Sequence, residues 1–268
     1  MRRVLLWFKQ DLRLDDHPAL QAARGADALL PVFILDPAQL QPGPLGSRGL
    51  GVHRARFLLE SLAALDGALR QRGSHLLVLQ GRAEQLIPQL VTRFNLQEVL
   101  TLEEIAPQER QQLQQVRAQL GSVALWEQTG NGLLRRDQLP CPVAELPAVF
   151  TQFRTLVEQG LQVFQPQPAP DYLPHLPEGS EALLTPLPTL SQLGLGEPLS
   201  VAASAFPFSG GEAAASARLR DYLWDSQNVR HYKDTRNGMI GSEYSSKFSP
   251  WLANGSLSPR RAMAELRR

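Results

Sequence analysis

The sequence contains only one cysteine and no long hydrophobic run, and these two features exclude several classes of protein. Cys141 alone cannot form an internal disulfide, which fits a reducing compartment and predicts a cytoplasmic protein. No run of about 18 apolar residues exists, so the sequence predicts no membrane span. Apolar residues follow the basic start of the chain, but charges from Lys9 onward end that run too early for a signal peptide.

Two common cofactor patterns are also missing. The five histidines are scattered without the spacing of metal ligands, so we expect no metal site. The loop after the first predicted strand, residues 9–18, lacks the Gly-x-Gly-x-x-Gly pattern of ordinary dinucleotide-binding folds. Its charged residues either line a pocket or cap and pair with their neighbours, and the residues alone leave both roles open.

The formal net charge of +1 conceals an uneven distribution. Residues 218–268 contain ten basic and five acidic side chains, whereas the preceding residues contain 17 basic and 21 acidic ones. A basic C-terminal region is consistent with phosphate binding there, although a solvated basic helix face has the same charge pattern.

The first part of the chain alternates between strand and helix patterns. Helical spacing of apolar residues appears at 53–72, 82–94 and 107–120, and Asp16 is expected to cap a shorter helix whose first turn includes Pro18. Short apolar runs typical of buried strands occupy residues 4–8, 28–35, 76–79, 98–102 and 123–126. The alternation predicts the α/β fold class, with a doubly wound parallel five-stranded sheet and right-handed crossovers.

The composition changes after this region. We assign residues 1–130 to the α/β domain and residues 131–205 to an extended connection, because residues 166–207 contain nine prolines and few regular patterns. An apolar-periodic helix from Ala213 to Trp224 then predicts that a helical domain begins, spanning residues 206–268.

Glu103 and Glu104 follow the fourth predicted strand, at the end of the sheet where ligands gather in doubly wound folds. Two adjacent acids there would accept hydrogen bonds from the amino groups of a heterocycle. Alternatively, they stabilise the N-terminus of the helix that begins near Pro107. From the residues alone, the helix-stabilising role is the simpler interpretation.

The segment from residue 232 to residue 261 is the most informative part of the chain. Two Ser-Pro pairs, at 249–250 and 258–259, each predict an N-cap serine with proline at the first helical position. Asn254 and Gly255 predict a helix end between them. Hydroxyls, free backbone N–H groups and Lys247 would suit a pyrophosphate, but two ordinarily capped helices would show the same residues.

Three blocks of sequence resemble the photolyase/cryptochrome family, most closely its DASH-type cryptochromes. The opening LWFKQDLRLDDHPAL, residues 6–20, is similar to the family's opening signature, with Lys9 where arginine is usual. Residues 139–154 look like the DASH-type connection. YKDTRNG at 232–238 and YSSKFSPWLA at 244–253 are very similar to the DASH flavin segment.

The resemblance implies an antenna-type α/β domain followed by a helical domain that binds FAD. It also implies that Glu104 holds a reduced folate antenna, methenyltetrahydrofolate, which reverses the preference for helix stabilisation. It implies no catalytic residue in this chain. The residues that it assigns to FAD are Tyr232, Arg236, Asn237, Tyr244, Ser245, Ser246, Lys247 and Phe248, of which the serines and the lysine face phosphate or ribitol oxygens.

For function, the resemblance implies a monomeric blue-light-dependent flavoprotein acting on pyrimidine dimers, preferentially in single-stranded DNA, or a related photoreceptor. The family's helical domain normally continues far beyond a position like Arg268. We therefore expect this chain alone to bind FAD weakly or not at all, and not to repair DNA. We expect Trp224 and Trp251 to be packing residues. The alternatives are a non-catalytic chromophore- or nucleotide-binding α/β module and an inactive remnant.

Overall fold

The computed structural model describes residues 1–43, 45–160, 165–198, 206–238 and 240–268. Five parallel strands form one sheet in the order β3-β2-β1-β4-β5. The strands are β1 Arg3–Phe8, β2 Ala28–Leu35, β3 Leu77–Gln80, β4 Glu98–Leu102 and β5 Ala124–Gln128. The sequence prediction of a doubly wound parallel five-stranded sheet is confirmed, with strand bounds shifted by at most two residues.

The order of the strands creates a switch point between β1 and β4. From β1 the chain builds β2 and β3 on one side, then crosses back to pair β4 with the other side of β1. Loops that leave the carboxyl ends of two such strands diverge and open a crevice between them, where ligands bind in folds of this type. These loops start at Lys9 and Glu103.

Nine α-helices lie in the described parts of the chain. Four pack around the sheet, one falls in the proline-rich region, and four belong to the C-terminal region. They are α1 Pro18–Ala23, α2 Val52–Arg70, α3 Ala83–Arg93, α4 Pro107–Gln119, α5 Phe150–Gly160, α6 Glu212–Arg220, α7 Tyr232–Thr235, α8 Ser249–Ala253 and α9 Pro259–Leu266.

The sheet is buried on both faces because its side chains alternate along each strand. In β1, Leu6 and Phe8 enter one hydrophobic cluster with Leu62 of α2, while Leu5 and Trp7 enter another on the opposite face, against α3 and α4. Alternation of this kind follows from the two-residue period of a strand.

The proline-rich connection packs onto the α/β layers. Leu173, Leu190 and Leu193 are buried in one sheet cluster, and Leu183 packs against the other. Helix α5 is a correction to the sequence analysis, which assigned no helix to this region. Residues 161–164 and 199–205 of the predicted connection lie outside the described residues, and the division at residues 130 and 205 stays a prediction.

The C-terminal helices form a small third cluster around Trp251, which is fully buried. Phe57 of α2, Phe206 and Phe208 lie around this ring at centroid distances of 5.9, 5.2 and 5.6 Å. Trp251 is therefore a packing residue, as predicted, whereas Trp224 is 43% exposed, so the packing role predicted for it is wrong.

Three predicted helix caps can be compared with the structure. Asp16 does not cap α1, because His17 is the N-cap residue and its Nδ1 accepts the N–H of Leu20. Ser249 is the first residue of α8, and the helix has no side-chain cap. Ser258 does cap α9, since its hydroxyl accepts the N–H groups of residues 260 and 261.

Among the described residues, no helix combines the length and apolar character that crossing a membrane requires. The same residues contain no group of three or more His, Cys, Asp and Glu side chains arranged to hold a metal ion.

Candidate functional site

Glu104 and Lys9 meet at the switch point, where the loops after β4 and β1 leave the sheet. Lys9 Nζ lies 3.2 Å from Glu104 Oε1 and 4.9 Å from the centre of the Trp7 ring. The same ammonium group donates a hydrogen bond to the Leu102 carbonyl at 2.9 Å. Glu104 Oε1 is buried and forms an ion pair with Lys9, but the geometry of that contact does not make a well-aligned hydrogen bond, and no other described residue donates one to it.

This environment raises the pKa of Glu104, because burial disfavours the charged carboxylate more than the nearby Lys9 favours it. A buried acceptor without a hydrogen-bond partner costs free energy, and a ligand with N–H donors would satisfy it. The carboxylate faces a cavity of about 70 Å³, here called the switch-point cavity, which Asp36 and Glu109 also line.

Neither acid stabilises helix α4 in the predicted way. The N-cap residue of α4 is Ala106, and the helix has no side-chain cap. Glu103 instead accepts a hydrogen bond from Thr129 and pairs with Arg136 at 2.5 Å. The helix-stabilising interpretation of the Glu103-Glu104 pair is therefore wrong.

Arg13 ties the first loop to the C-terminal region. Its guanidinium is almost fully buried and donates to the carbonyls of Asp15, Asp16, Gly130 and Gly255 at 2.9–3.2 Å. The planar fork of arginine suits such a set of acceptors. The hydrogen bond from Arg13 to the Gly255 carbonyl joins a residue near the start of the chain to one near its end.

Asp16 extends this connection. Its carboxylate accepts hydrogen bonds from the hydroxyl of Ser258 and from Arg260 Nε, the latter at 2.8 Å. Asp15 pairs with Arg261 at 2.6 Å in a more exposed position. Asp15 and Asp16 therefore do not pair with their neighbours, as one interpretation predicted, but with residues more than 240 positions away.

A buried contact between Asp11 and His17 stabilises the same loop. Both side chains are fully buried, and His17 Nε2 lies 3.0 Å from Asp11 Oδ2. Because Nδ1 accepts the N–H of Leu20, Nε2 carries the ring proton and donates a hydrogen bond to Asp11 Oδ2. Burial would raise the pKa of Asp11, but the hydrogen bonds from the His17 ring and from the Lys9 N–H lower it overall.

The predicted FAD residues form a polar segment, residues 232–248, on the surface of the C-terminal region. The structure brings its two halves together, because a Cβ atom on Gly238 would come 2.4 Å from Tyr244 Cγ. Among the described residues, no side-chain hydrogen bond or ion pair involves these members of the segment: Tyr232, Arg236, Asn237, Tyr244, Ser245, Ser246 and Lys247.

Arg218 of α6 holds one turn of the polar segment in place. It donates to the carbonyls of Ser242, Ser245 and Ser246 at 2.7, 3.0 and 3.1 Å. These bonds use only backbone carbonyls of the turn. The hydroxyls of Ser245 and Ser246 have no hydrogen-bond partner among the described residues. Arg218 is 5% exposed, and its guanidinium lies 5.2 Å from the Tyr222 ring.

Two further features fix the end of the segment. Phe248 contacts the Tyr222 ring edge-on, with centroids 5.8 Å apart, while burial raises the pKa of Tyr222. Lys247 has φ of +59°, which is unfavourable for a residue other than glycine and is maintained only where the surroundings enforce it.

Comparison with known proteins identifies the family of this chain. The model of the DNA photolyase family matches residues 4–171. The chain belongs to the DNA photolyase family. It is 40% identical to a cryptochrome DASH of Gloeobacter violaceus over 263 residues, covering 97% of this chain and 52% of that protein. A cryptochrome DASH of Natronomonas pharaonis is 37% identical over 273 residues, covering 100% of this chain and 56% of that protein.

The fold of this photolyase-family chain matches that of a solved cryptochrome from Synechocystis sp. The TM-score is 0.93 at 34% identity, covering 100% of this chain and 56% of the solved one. The predicted resemblance to DASH-type cryptochromes is confirmed. The chain spans about half the length of the curated relatives it matches.

Sequence reasoning missed Arg218, which no sequence motif marked as functional. A detectable signal was present, because Arg218 occupies the buried face of a helix whose other buried residues, Ala215 and Leu219, are apolar. A charged residue at such a position needs specific partners.

Proposed function

We propose that this chain provides the antenna-chromophore domain and part of the flavin site of a DASH-type, blue-light-dependent flavoprotein. The observation that carries the proposal is the set of seven polar side chains in this segment, named above, that have no partner among the described residues, beside a turn whose carbonyls accept hydrogen bonds from Arg218. Side chains without protein partners, on a turn fixed by a buried arginine, are arranged for a ligand rather than for packing.

The residues present fit the phosphate and ribitol portion of FAD. The hydroxyls of Ser245 and Ser246 and the ammonium of Lys247 would bind these oxygens, because hydroxyls and a cation satisfy phosphate charge. Tyr232, Tyr244 and Phe248 would contact the cofactor, with Arg236 and Asn237 nearer the flavin. Reduced FAD, when bound and excited by blue light, supplies the electron for splitting the cyclobutane ring of a pyrimidine dimer.

At the switch point, Glu104 would bind the amino and ring N–H groups of a folate antenna such as methenyltetrahydrofolate. The buried Oε1 atom, which lacks a hydrogen-bond partner, supports this assignment. Lys9 would stay beside the carboxylate, where its charge opposes the effect of burial on the pKa of Glu104.

The proposed substrate is DNA containing pyrimidine dimers, preferentially single-stranded. A lesion in a single strand is easier to bring into an active site, because less stacking and pairing must be broken. Photoreception is the related role within the same family.

We further propose that the chain alone does not perform the repair reaction, because the polar segment offers one side of a cofactor site. A chimera tests the proposed function: residues 1–268 are joined to the part of the Gloeobacter relative that lies beyond its match. We expect a yellow protein that repairs thymine dimers in light, whereas a Lys247→Ala, Ser246→Ala chimera retains less FAD. A soluble, folded chimera without flavin would contradict the proposal.

A second candidate is a non-catalytic chromophore-binding module that uses the α/β domain alone. The switch-point cavity favours it, because its lining residues all lie between residues 7 and 112. This candidate predicts folate binding that does not respond to substitutions in the polar segment, and no light-dependent repair by the chimera.

A further inference from the structure

A second cleft lies at the carboxyl end of β5, between the α/β domain and the C-terminal region. Gln128 and Thr129 at the end of β5, Gln167 of the connection and Arg260 of α9 line it, and it is here called the Arg260 cleft. Its volume of about 460 Å³ lies in the range of about 300–1,000 Å³ that is usual for small-molecule sites. It shares no lining residue with the switch-point cavity.

The guanidinium of Arg260 is only partly used by the protein. The side chain is 6% exposed, and its Nε donates a hydrogen bond to Asp16 Oδ2 at 2.8 Å. No described residue accepts a hydrogen bond from the two terminal nitrogens, Nη1 and Nη2. The N–H groups of a buried arginine that lack acceptors cost free energy, and a ligand in the cleft with anionic oxygens would satisfy them.

Asp16 cannot supply the missing acceptors. Its Oδ1 accepts the N–H of Gln167 at 3.2 Å, while its Oδ2 accepts both the Ser258 hydroxyl and Arg260 Nε. Arg13, which donates to the Asp16 carbonyl, bonds only neutral oxygens. Among the described residues, one carboxylate thus contacts these two buried guanidiniums, and this arrangement favours a further anion.

The walls of the Arg260 cleft are polar and not aromatic. The amide groups of Gln128 and Gln167 have no side-chain partner among the described residues. The described residues that line the cleft include no aromatic side chain. A flat heterocycle would find no ring to stack on, whereas the hydroxyls of a sugar both donate to and accept from amide groups.

Two acidic side chains also line the cleft, but both are paired with arginines. Glu127 pairs with Arg117 and Asp137 pairs with Arg135, each at 2.7 Å. A carboxylate beside a cation repels an incoming anion less, because the two charges offset each other. Its oxygens can still accept hydrogen bonds from hydroxyl groups.

We propose that the Arg260 cleft binds a small sugar phosphate. The phosphate lies on Nη1 and Nη2 of Arg260, and the sugar hydroxyls contact the amides of Gln128 and Gln167. The planar fork of arginine suits phosphate oxygens, which accept two parallel N–H bonds. Because the lining residues come from β5, the connection and α9, the bound ligand connects the α/β domain to the C-terminal region. The site is independent of the proposed folate and FAD binding.

Calorimetry on the unmodified chain with three probes tests the proposal: ribose 5-phosphate, ribose and inorganic phosphate. We expect ribose 5-phosphate to bind at least about fivefold more tightly than inorganic phosphate, because its hydroxyls add hydrogen bonds to the charged ones. Ribose alone should not bind measurably. Ribose 5-phosphate should also slow hydrogen exchange in residues 259–266, since a ligand that binds both regions stabilises their contact.

Arg260→Lys retains the charge beside Asp16 but removes the paired N–H groups. It should therefore weaken binding of ribose 5-phosphate by about tenfold or more. Arg261→Lys is the matched control, because Arg261 is the next residue of α9, pairs with Asp15 and does not line the cleft. This control should bind ribose 5-phosphate like the wild type.

Gln128→Ala tests the sugar contacts separately, and it remains informative if Arg260→Lys does not fold, because the Gln128 amide has no side-chain partner to lose. It should weaken binding of ribose 5-phosphate about two- to tenfold and leave inorganic phosphate unchanged.

Three results would overturn parts of the proposal. Equal affinity of the wild type for ribose 5-phosphate and inorganic phosphate would overturn the assignment to a sugar phosphate. Unchanged binding in a folded Arg260→Lys variant would overturn the role of Arg260. Absence of binding for both phosphates would overturn the site itself. None of these results bears on the proposed function, because neither Glu104 nor the polar segment lines the Arg260 cleft.

Discussion

The α/β domain and the C-terminal region differ in how they are stabilised. The sheet is buried between two large hydrophobic clusters, built mostly from its own strands and helices. The C-terminal region has six buried residues in its cluster and completes this small core with Phe57 of α2. The comparison shows that the first region can fold around its own core, whereas the second depends on the first for its packing and its position.

The two candidate sites differ in the same way. Glu104 lies in a recessed crevice that parallel strands create by their order, so its surroundings come from one domain. In the polar segment, residues 244–248 are half-buried, Arg218 fixes the backbone, and the hydroxyls of Ser245 and Ser246 have no hydrogen-bond partner among the described residues. We therefore expect the first site to bind its ligand in this chain and the second to need further protein surface.

The largest expected effect comes from Trp251→Ala, which removes the centre of the third cluster. Replacing a buried tryptophan by alanine costs about 3–5 kcal/mol. Because the α/β clusters do not contain Trp251, we expect fast hydrogen exchange in residues 206–268 with little change in the sheet, as seen by mass spectrometry. Trp224→Ala is the control and should leave exchange nearly unchanged. Equal loss of protection in both regions of Trp251→Ala would contradict separate cores.

The substitution Asp16→Asn tests the contact between the first loop and the C-terminal region. The substitution removes a buried charge opposite Arg260 but tolerates the positive φ of this position. Leaving Arg260 buried without its partner should lower the free energy of unfolding by about 2–4 kcal/mol, as measured by urea denaturation. Asp15→Asn, at the more exposed pair with Arg261, should cost less than about 1 kcal/mol. Equal losses of stability in the two variants would show that burial does not determine the strength of this contact.

A smaller and more local effect is expected from Arg218→Lys. Lysine keeps the charge but cannot bond three carbonyls in the plane of a guanidinium. Losing these bonds should cost about 1–3 kcal/mol and accelerate hydrogen exchange at residues 242–246. Arg220→Lys, an exposed neighbour on the same helix, serves as the control. Unchanged exchange in the turn would contradict the positioning role of Arg218.

The smallest effect concerns the pH dependence of stability. Burial raises the pKa of Glu104 above its ordinary value, so the folded state holds this proton to a higher pH than the unfolded state. The contribution of Glu104 to the free energy of unfolding therefore falls as pH rises from about 4 upward. Wild type should therefore lose stability relative to Glu104→Gln as the pH rises above about 4, the ordinary pKa of a glutamate. A constant or rising difference would contradict the burial of this carboxylate.

Local patterns predicted the sheet well because each strand is a short apolar run, and the three central strands, β1, β2 and β4, are buried on both faces. They failed where a partner lies far along the chain. Asp16 lies two residues before Pro18 and looks like a helix cap, but its partners are Ser258 and Arg260, which no local rule connects to it. Helix α5 was also missed, although Phe150, Phe153 and Val157 have helical spacing, and none of its residues is buried.

Prediction of the two candidate sites from local sequence patterns has the same limit. The position of Glu104 after a central strand pointed to the ligand edge of the sheet, and the polar segment was recognisable by its residues. Arg218 was not, because its role depends on which surfaces the fold places together.

The most direct test of the account compares retention of two ligands by the unmodified chain. The protein is incubated with methenyltetrahydrofolate and FAD together, passed through gel filtration, and its absorbance is recorded from about 300 to 550 nm, where both ligands absorb. The account predicts that a near-ultraviolet folate band remains, that Glu104→Gln loses it, and that flavin bands disappear. Flavin retained at about one per chain, with the folate lost, would contradict the distinction between the two sites.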